Sequence, residues 1–87
     1  SSYSLSDAFP NPFNPITTIQ YEIGEFGFVS LKVYDLLGSE VAALVNDVKP
    51  AGIYEVNFNA SELPSGTYFY TLVTESYTET KKLVVLK

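Results

Sequence analysis

Apolar and polar residues alternate with a period of two along most of the chain. Gly, Pro, Asn or Asp break that rhythm about every eight to twelve residues, the pattern of short strands joined by turns in an all-β sandwich. Tyr3 to Leu5 reads as a short first strand. Ile16 to Ile23 places Ile19, Tyr21 and Ile23 on one face and Thr18, Gln20 and Glu22 on the other. Gly24-Glu25-Phe26-Gly27 then turns the chain into Phe28 to Tyr34, with Val29, Leu31 and Val33 inward. Asp35-Leu36-Leu37-Gly38 has the composition of a type I turn with Gly38 in the left-handed conformation. Its two leucines are expected to cover the end of the sandwich.

Glu40 to Val45 is ambiguous. Leu37, Val41, Leu44 and Val45 fall at helical spacing and Ser39 could cap a helix, but barely two turns would fit between hairpin strands. A strand is therefore expected, followed by a loop over Asn46 to Pro50. Ile53 to Asn59 alternates again with Tyr54, Val56 and Phe58 inward, and Ala60 to Ser65 connects it onward. Thr67 to Thr74 carries apolar groups on both faces, as a central strand does. Tyr77 to Lys87 is the last strand. Three prolines in Pro10-Asn11-Pro12-Phe13-Asn14-Pro15 push their predecessors to extended conformations, so this segment is a stiff connection, with Phe9 and Phe13 expected to pin it to the core. The fold class that follows is an antiparallel, immunoglobulin-like β-sandwich of about seven strands in one domain spanning residues 1–87. Residues 1–6 are expected to be the end of a linker. No internal repeat stands out.

Composition narrows the chemistry. Seven Tyr and six Phe supply a dense core to an 87-residue chain, and aromatic side chains bury large areas and suit strands. There is no Cys, His or Arg, so thiolate chemistry, Ser-His and Cys-His nucleophile pairs and ordinary zinc sites are excluded. Five lysines and no arginine make a nucleic-acid groove untenable. No apolar run is long enough to span a bilayer. Paired carboxylates are the one catalytic device left, but Glu22, Glu25, Asp35, Glu40, Asp47, Glu55 and Glu62 fall at outward strand positions and in turns. The domain is therefore expected not to be an enzyme and to need no cofactor. Asp7, Asn11 and Asn14 cluster without the spacing of a calcium loop, and Asn59-Ala60-Ser61 matches a glycosylation acceptor only as a short pattern; no metal site is expected.

Charge is unevenly placed. Residues 1–80 hold ten carboxylates and two lysines, a net of −8, whereas residues 81–87 hold three lysines and no acid, a net of +3. Lysines on a last strand discourage strays from pairing with an open edge, or they form a recognition patch. No secretory signal peptide opens the sequence, and the polar, Ser-rich start favours the distal piece of a longer protein.

Six blocks occur in order: Asn11-Pro12-Phe13-Asn14-Pro15, Thr18-Ile19-Gln20-Tyr21, Leu31 to Val41, Pro50-Ala51-Gly52, Leu63 to Tyr70, and Lys82 to Lys87. Together they resemble the type A C-terminal sorting domains of the type IX secretion system, over essentially the whole chain. The resemblance implies a seven-stranded immunoglobulin-like sandwich joined to an N-terminal cargo domain in the same polypeptide. It implies transit through the periplasm, recognition by the outer-membrane translocon and its shuttle proteins, and cleavage by a sortase-like peptidase at or upstream of the first residues. Attachment to the cell surface or release would follow, with no membrane insertion. The recognition residues it implies are Gly66, Tyr68, Lys81, Lys82 and Lys87, the last strand offering an open edge that could add to a partner's sheet. The alternative is a structural immunoglobulin-like accessory module, either hook-cap-like or carbohydrate-binding through Tyr34 and Phe69. A hook-cap module would carry an acidic insertion where this chain has only Ala60 to Ser65, and termination on the basic strand fits sorting better.

Overall fold

The computed structural model describes residues 2–87, and their regular structure is entirely β. The strands are β1 (Ser4–Leu5), β2 (Ile16–Ile23), β3 (Gly27–Tyr34), β4 (Glu40–Lys49), β5 (Gly52–Asn59), β6 (Gly66–Val73) and β7 (Thr78–Val85). They form two sheets, ordered β1-β2-β5 and β4-β3-β6-β7, with every named pair antiparallel. This is the expected sandwich, with the fourth strand in the larger sheet.

The period-two reading locates the core. Ile19, Tyr21 and Ile23 of β2, Val29, Leu31 and Val33 of β3, and Tyr68, Tyr70 and Leu72 of β6 are buried, joined by Leu83 and Val85 of β7. Each such side chain contributes on the order of 1.5–3 kcal/mol by leaving water. β6 sits between β3 and β7, which explains its apolar residues on both faces. Tyr70, fully buried, still satisfies its hydroxyl by donating to the Ser6 carbonyl at 2.7 Å.

Four expectations are corrected. The first is the loop at Asn46 to Pro50: β4 continues through Lys49, pairing Asn46 with Ser30, Asp47 with Val29, Val48 with Phe28 and Lys49 with Gly27. Asn and Asp are tolerated there because β4 lies at the edge of its sheet, where these side chains stay in water. The register shifts between Leu31 and Lys32 and between Val33 and Tyr34. Such irregularities break the parity of a strand, and they leave Val41, Ala42, Leu44 and Val45 all half-buried, a pattern that imitates a helix.

The second concerns the proline segment. Phe13 is buried at 2% exposure, but Phe9 is 80% exposed and pins nothing. The backbone of Phe9 is bridged to Thr18, each N–H donating to the other's carbonyl at 3.0 Å, and Ala8 takes the inward position beside it. Third, Leu36 and Leu37 do not cover the end of the sandwich; they project from it.

Fourth, the outer edge of β7 is not open along its second half. The Phe13 N–H donates to the Val84 carbonyl at 3.0 Å, and the Leu86 N–H donates to the Phe13 carbonyl at 2.9 Å. One step earlier, the Asn11 side chain accepts the Val84 N–H and donates to the Lys82 carbonyl. The proline segment thus acts as a short strap along an edge that would otherwise present unpaired backbone groups.

Candidate functional site

The blocks that carry the resemblance are far apart in sequence, yet most of them meet at one end of the sandwich. Antiparallel pairing puts Tyr34 opposite Phe69 and Gly66 opposite Val85, so the Asp35–Gly38 turn, the start of β6 and the end of β7 are neighbours. The Ala60 N–H donates to the Pro15 carbonyl at 2.8 Å and brings the β5–β6 connection to the same place. Two blocks are exceptions: Thr18-Ile19-Gln20-Tyr21 runs through the middle of the smaller sheet, and Pro50-Ala51-Gly52 lies at the opposite end, where Gly52 pairs with Ile23.

Gly66 opens β6 at φ +152°, a backbone conformation that L side chains rarely adopt. That conformation directs the chain so that Tyr68 turns inward, 6% exposed, with its hydroxyl donating to the Pro64 carbonyl at 2.7 Å. A tyrosine bonded four residues back across the corner fixes how the chain enters the strand. The same device occurs at Tyr54, whose hydroxyl donates to the Pro50 carbonyl at 2.6 Å across Gly52. Pro50-Ala51-Gly52-Ile53-Tyr54 and Pro64-Ser65-Gly66-Thr67-Tyr68 are thus two copies of one corner, a repeat that the sequence reading passed over.

The three lysines of residues 81–87 do not form one patch. Lys81 lies opposite Tyr70 on the core-facing side of β7, at the rim. Its ammonium is 3.2 Å from an Asp7 carboxylate oxygen and 3.5 Å from one of Glu79, and Asp7 above all raises its pKa from the ordinary lysine value. Glu79 in turn accepts a hydrogen bond from the Tyr77 hydroxyl, which lowers its pKa. Tyr77 stacks on Tyr3, ring centroids 5.6 Å apart, so this network ties the first residues to β7. Lys82, by alternation, points to the outer face beside Phe69. Lys87 closes the end: its N–H donates to Ser65 Oγ at 3.0 Å and its Nζ to the Ser61 carbonyl at 2.5 Å. Gly66, Tyr68 and Lys87 are therefore brought together at the corner, Lys82 lies further along β7 on the outer face, and Lys81 is held at the rim by Asp7 and Glu79.

Other candidates find structural roles. Asn59 Oδ1 accepts the Ser61 N–H, a local turn. Asn11 is engaged with β7, away from any ligand role with Asp7 and Asn14. Among the described residues no group of three or more carboxylates is placed to hold a metal ion. Tyr34 and Phe69 are cross-strand partners, both half-buried, on the outer face of the larger sheet.

A comparison with curated proteins gives no match. The model of one protein family, described as the secretion system C-terminal sorting domain, matches residues 7–86. That span takes in every residue of the corner, the strap and the lysine strand except Lys87. The chain belongs to the C-terminal sorting domains that direct type IX secretion.

Proposed function

We propose that the end of the sandwich holding Gly66, Tyr68 and Lys87, together with Lys82 on the outer face, is what the outer-membrane translocon and its shuttle proteins read. Lys81 contributes from the rim by holding the first residues of the domain against β7. Membership of the sorting family makes the chain part of a larger cargo polypeptide that engages the secretion machinery and is secreted or held at the cell surface. The family's role is a non-catalytic one, and we take this domain to perform no reaction itself. Its course is transit through the periplasm in folded form, passage through the translocon, then removal by a sortase-like peptidase upstream of Tyr3, with surface attachment or release of the cargo.

The observation that carries this reading is the convergence of the family's sequence blocks at one end. A fold needs its core residues, but it does not need Lys82 and Lys87 beside an apolar turn. Cleavage upstream of Tyr3 agrees with the Tyr3–Tyr77 stack and with Leu5, which pairs with Tyr21 and is 4% exposed. These contacts hold the chain from Tyr3 to Leu5 against the fold and away from a protease.

The test is an export assay. A reporter with an N-terminal signal peptide, fused to residues 1–87, is expressed in a host with the type IX machinery. The expected result is reporter outside the cell, reduced in a Lys82→Ala/Lys87→Ala variant that melts at the parent temperature. A folded parent fusion retained in the periplasm would overturn the sorting role of this chain.

A further inference from the structure

Leu36 and Leu37 stand nearly free of the fold that carries them, 67% and 92% exposed. The turn is built without their side chains. Asp35 Oδ1 accepts the N–H groups of Leu37 and Ser39, each at 2.9 Å, the Gly38 N–H donates to the Asp35 carbonyl at 3.0 Å, and Gly38 takes φ +86°. Polar residues would serve such a turn at least as well. Beside the leucines runs an open groove of about 240 Å³, walled on its far side by Ser65, Gly66, Thr67 and Tyr68.

The electrostatics of this end differ from those of the rest of the domain. Lys87 is bonded to Ser65 at the groove's rim, and Lys82 lies beside Phe69, across from Tyr34 at the base of the turn. Among the described residues neither lysine enters a salt bridge. Of the nearby acids, Asp35 is turned toward the amides of its own turn, Glu40 pairs with Lys32 at 3.2 Å, and Glu62 stands in the β5–β6 connection. Phe26, at the opposite end, is 73% exposed, but its surroundings include Glu25 and Glu75. Both ends therefore offer apolar surface; this one has two lysines without an ion pair among the described residues, whereas the other has Lys49 alone, opposite Gly27 and over the Tyr54 ring, with Glu25 and Glu75 nearby.

We infer that the Leu36–Leu37 turn and the groove beside it dock an extended segment of a secretion-machinery protein that presents an apolar side chain flanked by carboxylates. The leucines supply the anchor and the lysines select the sign of the partner, the usual division of labour between affinity and specificity. Seven of the ten carboxylates lie away from this end, and they repel such a segment and direct it here. The inference rests on the sorting role and adds to it residues that fold and family blocks alone do not single out.

The same reporter fusion tests it. Leu36→Ser/Leu37→Ser should melt with the parent and lower extracellular reporter about tenfold or more, while Phe26→Ser is exported normally. Lys82→Glu/Lys87→Glu should lose export as the leucine variant does. If the double leucine variant melts early, Leu37→Asn alone, at the most exposed position, replaces it. Export of the parent together with normal export of the leucine variants overturns the docking surface and leaves the sorting role standing. Failure of the parent fusion overturns both. An equal loss in Phe26→Ser overturns the assignment to this end. So does a purified chain that dimerises through these leucines, with Leu37→Asn becoming monomeric yet still exported.

Discussion

Asn11 meets Val84 as a neighbouring strand would, with its side chain standing in for backbone. Its Oδ1 accepts the Val84 N–H at 2.9 Å, while its Nδ2 donates to the Lys82 carbonyl at 3.1 Å. Phe13 then continues the pairing with true backbone groups as a parallel bridge to Val85. A proline-rich segment can thus protect an edge despite its missing N–H groups, because an asparagine amide supplies one donor and one acceptor at strand spacing. Asn11→Ala should cost about 0.5–1.5 kcal/mol, the net worth of such bonds at an exposed site. Amide hydrogen exchange at Val84 should accelerate more than at Leu83, whose backbone faces β6. Unchanged protection at Val84 would show that the bond contributes nothing.

The two tyrosine corners make a matched pair with different packing. Tyr68 is buried, whereas Tyr54 is half-exposed, stacked on Tyr21 at 5.3 Å between ring centroids with the Lys49 ammonium 5.4 Å from its ring centre. Removing either hydroxyl with Tyr→Phe should cost about 0.5–1.5 kcal/mol. Truncation should separate them: Tyr68→Ala loses roughly 3–5 kcal/mol as a buried aromatic, and Tyr54→Ala clearly less. Denaturant melts of the four variants check this. Equal losses for the two alanine variants would contradict the burial difference.

Gly66 invites a parallel experiment that separates folding from recognition. A Cβ built there meets no atom within 4 Å, so Gly66→Ala introduces no clash, only the strain of φ +152°. That strain should cost about 1–3 kcal/mol. An export defect in a Gly66→Ala variant that is still folded would then report on reading of the corner and not on collapse of the domain.

Much of this was legible in the sequence, because period-two alternation is set by the pleat and by burial on one face. The faces of β2, β3, β5 and β6 followed from it directly. What failed was parity wherever the ladder is irregular. The two shifts leave Leu44 and Val41 of β4 as extra residues opposite a regular β3, and alternation within Glu40–Lys49 does not say where such extra residues fall. Ala8 and Phe9 are a similar case: hydrophobicity favoured Phe9 for the core, but its bridge to Thr18 fixed the side chain outward. Of the candidate site, Gly66 and Tyr68 were readable as a corner. The division of the lysines was not, since it depends on Asp7 reaching β7 from the other side of the molecule. The second Pro-x-Gly-x-Tyr corner could have been found from its spacing alone.

Tyr70 predicts the alkaline limit of stability. Burial raises its pKa from the ordinary value of 10.0 to about 12, with Asp7 and Glu79 adding to the rise and the Ala8 backbone opposing it. The folded state therefore holds the phenolic proton more tightly than the unfolded chain does. Its contribution is complete below pH 10 and is lost as pH climbs from 10 through about 12, amounting to roughly 2–3 kcal/mol. Tyr70→Phe should be less stable than the parent at neutral pH, because the bond to the Ser6 carbonyl is gone, and should lose less on going to pH 12. Parallel alkaline limbs for parent and variant would remove Tyr70 from the account.

Lys81 and its neighbours in β7 give the sharpest contrast between structure and signalling. Lys81 holds Asp7 and Glu79, while Lys82 and Lys87 hold no carboxylate among the described residues. Lys81→Ala should lower the melting temperature measurably and loosen the Tyr3–Tyr77 stack, seen as increased solvent exposure of those tyrosines. The loss should grow smaller as pH falls through the folded pKa of Glu79, which lies below 4.5 because the Tyr77 hydroxyl and Lys81 favour its charged form. Lys82→Ala should leave melting unchanged at every pH, and Lys87→Ala should cost at most the exposed bond from its ammonium to the Ser61 carbonyl, with no dependence on carboxylate titration, since neither gives up an ion pair. In the export assay the order reverses: Lys82 and Lys87 variants are impaired while folded, and Lys81→Ala is impaired only to the extent that it unfolds. If Lys81→Ala melts with the parent and still blocks export, Lys81 belongs to the contact surface, and the separation of the three lysines has been drawn in the wrong place.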